Sequence, residues 1–419
     1  MLLQGLHNMA GIHAKLSPSG ASRWMACPGS IVLEAGYPDD SSEYAAEGTL
    51  AHDIAGQCLE EDRSPYDFVG KRFEVDGFVF TVTRDMADYV HDYMKLVREF
   101  AQGGTLLVER KVDFSPVIGV ENSFGTSDAI IIKDDTLTVI DLKYGMGVAV
   151  SAENNPQLML YALGALNDYG DLADFEHACM VIHQPRLNTV SEYWISVEKL
   201  EEFGKQAAIA AQTVGEAVET YGVSDTWDAA YLNAGEKQCK FCKAKGDCPA
   251  LNEAVHGATG TALATAATPD EMKEFLGTVD EDALSAAMGK VALVEQWCKG
   301  VRAEAERRLL NGIDVPGYKI VEGRLGNRKW SDEAAVEEAF KSYRFKIDQM
   351  YDFKLISPTK AEKLLKDNPR RWNKLEQLIT REAGKPSVAP ATDRRPEKVV
   401  SNVADDLRAL AFDGDETAN

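Results

Sequence analysis

The sequence has no run of about 18 apolar residues, the length a helix needs to cross a bilayer, so no part of it is expected to span a membrane. The opening Met1-Leu2-Leu3-Gln4-Gly5-Leu6-His7 lacks the basic and hydrophobic parts of a secretory leader. A cytoplasmic, reducing setting is expected, in which cysteines serve as thiols or thiolate ligands and not as disulfides. No GxxxxGK(S/T) phosphate loop and no helicase motif set occurs, which argues against a nucleotide-driven motor. Positive charge is also in deficit. The net charge is −22, and a chain this acidic repels nucleic acid unless its cations are gathered on one face. Some are gathered: from Lys354 to Lys398 there are twelve Lys or Arg and six acids, a surplus of +6 that leaves −28 for the rest. That block includes Asn368-Pro369-Arg370-Arg371-Trp372. It reads either as a DNA-engaging patch whose aromatic stacks on a base or as a solvated helix and tail.

The most informative segment is Gly125-Thr126-Ser127-Asp128-Ala129-Ile130-Ile131-Ile132 followed by Val139-Ile140-Asp141-Leu142-Lys143. Ala129 to Ile132 and Leu137 to Leu142 are apolar, β-branched runs separated by the polar turn signal Lys133-Asp134-Asp135-Thr136. With Asp134-Asp135 as a two-residue turn, opposed positions sum to 269 and Asp128 lies across from Asp141. Opposed residues share a sheet face with β-carbons roughly 5 Å apart. Two carboxylates that close repel unless a cation sits between them, and a hard divalent ion such as Mg²⁺ meets that need. Strand side chains alternate, so Lys143 points to the same face as Asp141. An ammonium there orients or deprotonates a metal-bound water and offsets charge at a phosphate. The competing reading is a surface hairpin with ordinary charged residues.

Further features surround this hairpin. In Asn155-Pro156-Gln157-Leu158-Met159-Leu160-Tyr161 a helix is expected to begin near Pro156, placing Gln157 and Tyr161 at i, i+4 on one face. Glu47-Gly48-Thr49-Leu50-Ala51-His52 opens another helical segment, with Glu47 and His52 as candidates; an isolated helical histidine is otherwise a satisfied structural residue. Glu109, in the strand-like Leu106-Leu107-Val108-Glu109-Arg110, is either a further acidic member or a solvent-facing strand residue. Cys239-Lys240-Phe241-Cys242 is followed by Cys248-Pro249 and preceded far upstream by Cys27-Pro28. A CxxC with a near third and a distant fourth cysteine suits a tetrahedral zinc site or an iron–sulfur cluster, and spacing alone favours zinc. Cys58, Cys179 and Cys298 lie in helical or apolar runs, where core packing is the default.

Taken in this order the motifs resemble the PD-(D/E)XK nuclease superfamily, with Asp141-Leu142-Lys143 as the second half of its motif, and within it the RecB-like branch. That resemblance, over residues 1 to about 255, implies an α/β restriction-endonuclease-like core, a small mixed sheet flanked by helices. It implies a metal-dependent DNA exonuclease. Asp128, Asp141 and the Leu142 carbonyl hold Mg²⁺ or Mn²⁺ with help from His52, Lys143 positions the attacking water, and Gln157 and Tyr161 contact DNA or organise the site. One cysteine before the core and three after it is similar to the AddAB-type and CRISPR-associated exonucleases, which implies a structural [4Fe-4S] cluster on Cys27, Cys239, Cys242 and Cys248 in place of Zn²⁺. The family setting is phage or prophage recombination or DNA processing at linear ends, leaning 5′ to 3′, beside a single-strand-binding or annealing partner. A non-catalytic DNA-binding or scaffold protein that keeps the fold is the alternative. An iron–sulfur electron carrier needs a flavin, nicotinamide or second cluster site, and the sequence shows none.

Domain organisation follows the motifs. Residues 1–255 form the expected nuclease-like unit, 256–268 a linker rich in Ala, Thr and Gly, 269–385 a mainly helical second domain, and 386–419 a disordered tail. In the second domain Thr268-Pro269-Asp270-Glu271 reads as a helix start, a long helix is expected from Glu281 to Asn311, and Tyr318 to Trp330 reads as a short hairpin. Its roles are open between substrate channel, oligomer contact and partner docking.

Overall fold

Among the described residues, β-branched runs punctuated by short polar turns give seven strands: β1 (Arg72–Val75), β2 (Phe78–Thr81), β3 (Thr105–Asp113), β4 (Phe124–Lys133), β5 (Thr136–Leu142), β6 (His177–Gln184) and β7 (Thr189–Ser196). They are seen in a computed structural model that describes residues 16–38, 42–147, 149–223, 225–265, 281–319, 333–344, 346–347, 361–362, 365 and 368–379. β3 to β7 form one five-stranded sheet in sequence order, antiparallel except for the parallel pair β5 and β6. The sequence reading did not include the separate hairpin of β1 and β2. Its turn is Asp76-Gly77, both at positive φ, the pair that favours the tight hairpin turns matching strand twist.

Of six long helices among the described residues, the first four cover the two faces of the sheet and the last two pack in the cysteine region. The six are α1 (Glu43–Glu60), α2 (Arg84–Phe100), α3 (Pro156–Tyr169), α4 (Val197–Thr220), α5 (Pro249–Thr265) and α6 (Val291–Leu310). Side-chain caps begin the first four: Ser42, Thr83, Asn155 and Ser196 each accept a first-turn N–H, satisfying donors that a helix start leaves unpaired. Strand alternation divides the apolar residues between two cores. Ile130, Leu137 and Val139 pack with Leu158, Leu160 and Ala207 beneath α3 and α4. Ala129, Ile131, Ile140 and Leu142 pack with Leu50, Ile54, Val90 and Val97 beneath α1 and α2. Truncating one of these buried Leu or Ile residues to Ala costs about 2–5 kcal/mol. The parallel pair requires a crossover, which α3 supplies.

The chain divides into two units, Met1–Glu322 and Gly323–Asn419. This boundary differs from the expected one at 255. The segment expected as a linker is helical through Thr265, since its alanines and Leu263 favour helix. The expected helix from Glu281 to Asn311 is two, Glu281–Met288 and α6, parted at Gly289-Lys290. Helix α6 docks on the cysteine region: Gln296 Nε2 donates to the Glu236 carbonyl at 2.8 Å, and Trp297 Nε1 to Asn252 Oδ1. A Cβ on Gly300 would lie 2.9 Å from the Gly246 nitrogen, so only glycine permits this backbone approach. In the second unit, helices Glu333–Ser342 and Pro369–Glu376 are described, the latter carrying Arg370, Arg371, Trp372 and Lys374. The helix start at Thr268, nearly all of the hairpin expected to Trp330 and the tail 386–419 lie outside the described residues. Among the described residues no helix is long and apolar enough to cross a membrane.

Candidate functional site

The β4–β5 ladder has the register read from the sequence, Lys133 opposite Thr136 through Ala129 opposite Ile140, around a turn with Asp134 at φ 52°. It then stops. Asp128 and Asp141 come next in register, but they do not form a ladder pair as expected, because β4 runs on beside β3 to Phe124 while β5 runs on beside β6 to Leu142. The strands part at the two carboxylates. The Lys143 N–H goes to the His183 carbonyl of β6 at 2.9 Å, so by alternation the Leu142 N–H faces β4. The Asp128 carboxylate takes that N–H, Oδ2 at 2.7 Å. Leu142 was expected to contribute its carbonyl; the contact it makes here is through its N–H.

From one face of the sheet, α1 brings His52, whose Nδ1 lies 3.2 Å from Asp128 Oδ1. β3 brings Glu109, and ligand atoms of His52, Glu109 and Asp128 all lie within 4.8 Å of one another. Glu109 has φ 48° and interrupts the β3–β4 ladder between the pairs Val108–Ala129 and Arg110–Ser127. A non-glycine residue held there costs on the order of 1–3 kcal/mol, strain that tends to gather at functional sites. Gly56 makes room for it, since a Cβ there would sit 2.8 Å from Glu109 Cγ. Burial and then the Asp128 charge push the Glu109 carboxyl up to about 7. Burial pulls the His52 imidazole down, yet the Asp128 charge outweighs it and lifts the group to about 9. A proton on His52 therefore supplies the positive charge that this acidic group calls for.

From the other face, α3 brings Gln157 and Tyr161. Asp141 is 3% exposed and is paired with Lys143, Nζ to Oδ2 at 2.9 Å. Lys143 Nζ also donates to Gln157 Oε1 at 3.1 Å, while Gln157 Nε2 reaches Asp141 Oδ1 at 3.3 Å and the Tyr161 hydroxyl at 3.2 Å. Burial acts to lower Lys143, but the Asp141 carboxylate raises it on balance and keeps it an ammonium. Asp141, expected to hold metal with Asp128, is ion-paired with Lys143 and accepts from Lys143 and Gln157 at Oδ1, while its buried Oδ2 accepts no hydrogen bond; the three-residue group of ligand atoms is His52, Glu109 and Asp128. Glu47 is not brought into that group, because its carboxylate pairs with Arg186 at 2.8 Å.

Two nearby residues escaped the sequence reading. The Tyr93 hydroxyl on α2 is buried with no hydrogen-bond partner, and burial together with Asp128, Asp141 and Glu109 raises it well above its ordinary value. Arg186 follows β6, whose end lies beside that of β5. Its signal was position: groups just past the carboxyl ends of parallel strands line ligand crevices.

The four expected cysteines share one neighbourhood. Cys27, Cys239 and Cys248 lie in a third core with Trp227 and Leu251, and Cys242 has Cys239 as a charge neighbour. All are free thiols whose titration burial pushes up. Each sulfur also accepts backbone N–H: Cys27 from Asn233 at 3.3 Å, Cys239 from Gly235 at 3.4 Å, Cys242 from Ala244, and Cys248 from Leu251 and Ala250. Among the described residues no three cysteine sulfurs lie within 4.8 Å of one another. Glu34 ties the two ends together, pairing with Arg23 at 2.8 Å and accepting the Lys243 N–H at 2.7 Å. Cys58 and Cys179 are buried in the sheet core as expected.

Fold and site together define a mixed α/β protein whose centre of acids, histidine and lysine sits where two strands of a five-stranded sheet part. The chain belongs to the DUF2800 family, described as proteins of unknown function, whose model matches residues 13–396. It is also similar to a solved structure described as "Crystal structure of SSO0001", at 15% identity and a TM-score of 0.25 over 59% of this chain and 93% of that one.

Proposed function

We propose that this protein is a metal-dependent DNA exonuclease with a PD-(D/E)XK core, akin to the RecB-like branch, acting in phage recombination or DNA processing. The observation that carries this reading is the continuity of the site. Tyr161, Gln157, Lys143 and Asp141 form one hydrogen-bonded chain, and Leu142 joins it to Asp128, His52 and Glu109. The donor set fits a divalent ion: two carboxylates and an imidazole converge, with their ligand atoms within 4.8 Å of one another. His52, Glu109 and Asp128 would hold Mg²⁺ or Mn²⁺, and an imidazole among the ligands suits Mn²⁺ well. When bound, the ion supplies Lewis-acid stabilisation of a phosphoryl oxygen and a more acidic water.

The chain's own residues do the rest. Lys143 is held by Asp141 and Gln157, and its side chain is 29% exposed, so a water or a phosphoryl oxygen can reach it. As an ammonium it orients and stabilises charge and does not act as the base. Gln157 holds Lys143 and Asp141 in register, and Tyr161 fixes the amide of Gln157. The test incubates end-labelled single- and double-stranded linear DNA and a closed circle with Mg²⁺ or Mn²⁺, using wild type and Lys143→Ala. Release of label from linear DNA by wild type alone is expected. Equal behaviour of the two proteins would sink the enzymatic reading and leave a DNA-binding or scaffold role.

A [4Fe-4S] cluster is the reading we favour for Cys27, Cys239, Cys242 and Cys248. Four buried sulfurs that each receive backbone N–H groups suit anionic ligands. Protein purified without oxygen should be brown and absorb near 400 nm on the order of an iron–sulfur centre, with the colour lost in Cys242→Ser. A colourless zinc-containing protein decides for the alternative.

A further inference from the structure

We infer that Arg186, framed by Glu47 and Tyr144, is a phosphate-binding subsite that holds the nucleic-acid strand beside the scissile position. Its three framing facts are independent. Nη1 contacts Glu47 Oε2 at 2.8 Å by a single bond, with the side chains only 18% and 29% exposed. The guanidinium carbon stands 4.8 Å over the Tyr144 ring, which is itself buried and edge-on to Tyr89 at 6.3 Å. Arg186 Nε is buried and has no hydrogen-bond partner.

The placement is next to the chemistry. Tyr144 follows Lys143, and Glu47 precedes His52 on the same helix, α1. β5 and β6 are parallel and paired through Leu142 and His183, so the turn carrying Arg186 emerges at the edge where Lys143 does. A planar guanidinium matches phosphate oxygens. Stacking on Tyr144 and a tether to one Glu47 oxygen fix its plane in advance, which removes part of the ordering cost of binding. The need for such a group is electrostatic. Asp128, Glu109 and Asp141 repel an approaching polyanion, while His52 and Lys143 are already paired with Asp128 and Asp141. Arg186 is paired as well, but through Nη1 and one Glu47 oxygen alone, and a guanidinium carries five N–H groups, so it can still donate to a phosphate that is not being cleaved.

This inference rests on the nuclease reading, and the experiment separates the two. Steady-state hydrolysis of labelled single-stranded DNA with Mn²⁺ is compared in full-length wild type, Arg186→Gln, Arg186→Lys and Glu47→Gln across KCl concentrations. Binding of a fluorescein-labelled oligothymidylate is measured with the same substitutions in Lys143→Met protein. For Arg186→Gln, KM and Kd should rise about tenfold with kcat nearly unchanged, as for loss of a charged hydrogen bond made equally in ground and transition states. The slope of log affinity against log salt should shrink by about 0.7, the value for one phosphate contact on a single strand. Arg186→Lys should fall between. Glu47→Gln should bind at least as tightly as wild type, because it removes an acid beside the phosphate. A pair that only ties α1 to the β6–β7 turn would instead make both substitutions weaken binding alike, and that result overturns the subsite, as does an Arg186→Gln protein with wild-type KM and salt slope; the nuclease reading survives either. If Arg186→Gln does not fold, weaker binding by Glu47→Gln alone overturns it. Wild type that neither binds nor cleaves DNA overturns both readings.

Discussion

Replacing Lys143 by Met tests the centre of the site through stability and rate at once. Asp141 is 3% exposed and Lys143 is its cation at 2.9 Å. Removing one member of a buried ion pair costs about 3–5 kcal/mol, because the other charge is left uncompensated. Two features lower that figure here. The Lys143 side chain is 29% exposed, so solvent already screens it, and Gln157 Nε2 still donates to Asp141 at 3.3 Å. A loss of about 2 kcal/mol is expected, visible as a lower urea midpoint at unchanged slope. Adding Asp141→Asn removes the stranded charge, so the double variant should return to within about 0.5 kcal/mol of wild type, a recovery of at least about 1.5 kcal/mol over Lys143→Met. Activity should behave oppositely. Lys143→Met should lose on the order of 10²–10³ in rate, the usual loss for one charge-stabilising donor, and the double variant should recover none of it. Urea unfolding in EDTA and label release in Mn²⁺ measure the two. Additive stability losses, or a Lys143→Met protein with wild-type rate, would refute the geometry on which the reading stands.

Other outcomes follow from the same contacts. Glu109→Gln should weaken Mn²⁺ binding at least tenfold by calorimetry in Lys143→Met protein, whereas an unchanged affinity would remove Glu109 from the ligand group. Glu304 is drawn down to about 2 by its bond to Arg307, against burial and aided by Arg308. Its folded value lies below the ordinary 4.5, so its contribution is complete above that pH and is lost as pH falls toward 2. Glu304→Gln should therefore destabilise at neutral pH and flatten the acid limb of a stability–pH curve; an unchanged limb would count against the pairing. Gly300→Val, whose new atoms meet the Gly246 and Lys245 backbone, should cost about 1–3 kcal/mol by overpacking; a wild-type urea midpoint would show that α6 does not dock on the cysteine region.

The sheet was legible because its signals are local. A polar Asp134-Asp135 between two β-branched runs fixes the β4–β5 register, and Asn155-Pro156 marks the start of α3 and with it Gln157 and Tyr161. What a two-strand count could not contain is the parting of β4 from β5 after Ala129 and Ile140, since that is decided by the pull of β3 on one and β6 on the other. For the same reason Glu109 was ambiguous: its entry into the site depends on a left-handed backbone that alternation does not foresee. Tyr93 and Arg186 carry no spacing signal at all. They meet the site only through tertiary packing of α2 and through the turn after β6.

The acidity of the chain acquires a definite meaning at this centre. Every cation described there has a carboxylate partner: His52 with Asp128, Lys143 with Asp141, Arg186 with Glu47. A set of closed pairs, with Glu109 in addition, presents little net attraction to a polyanion. On the reading proposed above, bringing a divalent ion to Asp128 and Glu109 changes the sign of the site and displaces the proton on His52. DNA affinity of the uncleaving Lys143→Met protein should therefore rise when Mn²⁺ is added, and the rise should vanish in Lys143→Met/Asp128→Asn. A binder whose DNA contacts lay elsewhere, such as the basic helix Pro369–Glu376, would bind equally with and without Mn²⁺. Anisotropy of a labelled oligonucleotide distinguishes these outcomes, and metal-independent binding would move the DNA contact away from the strand fork.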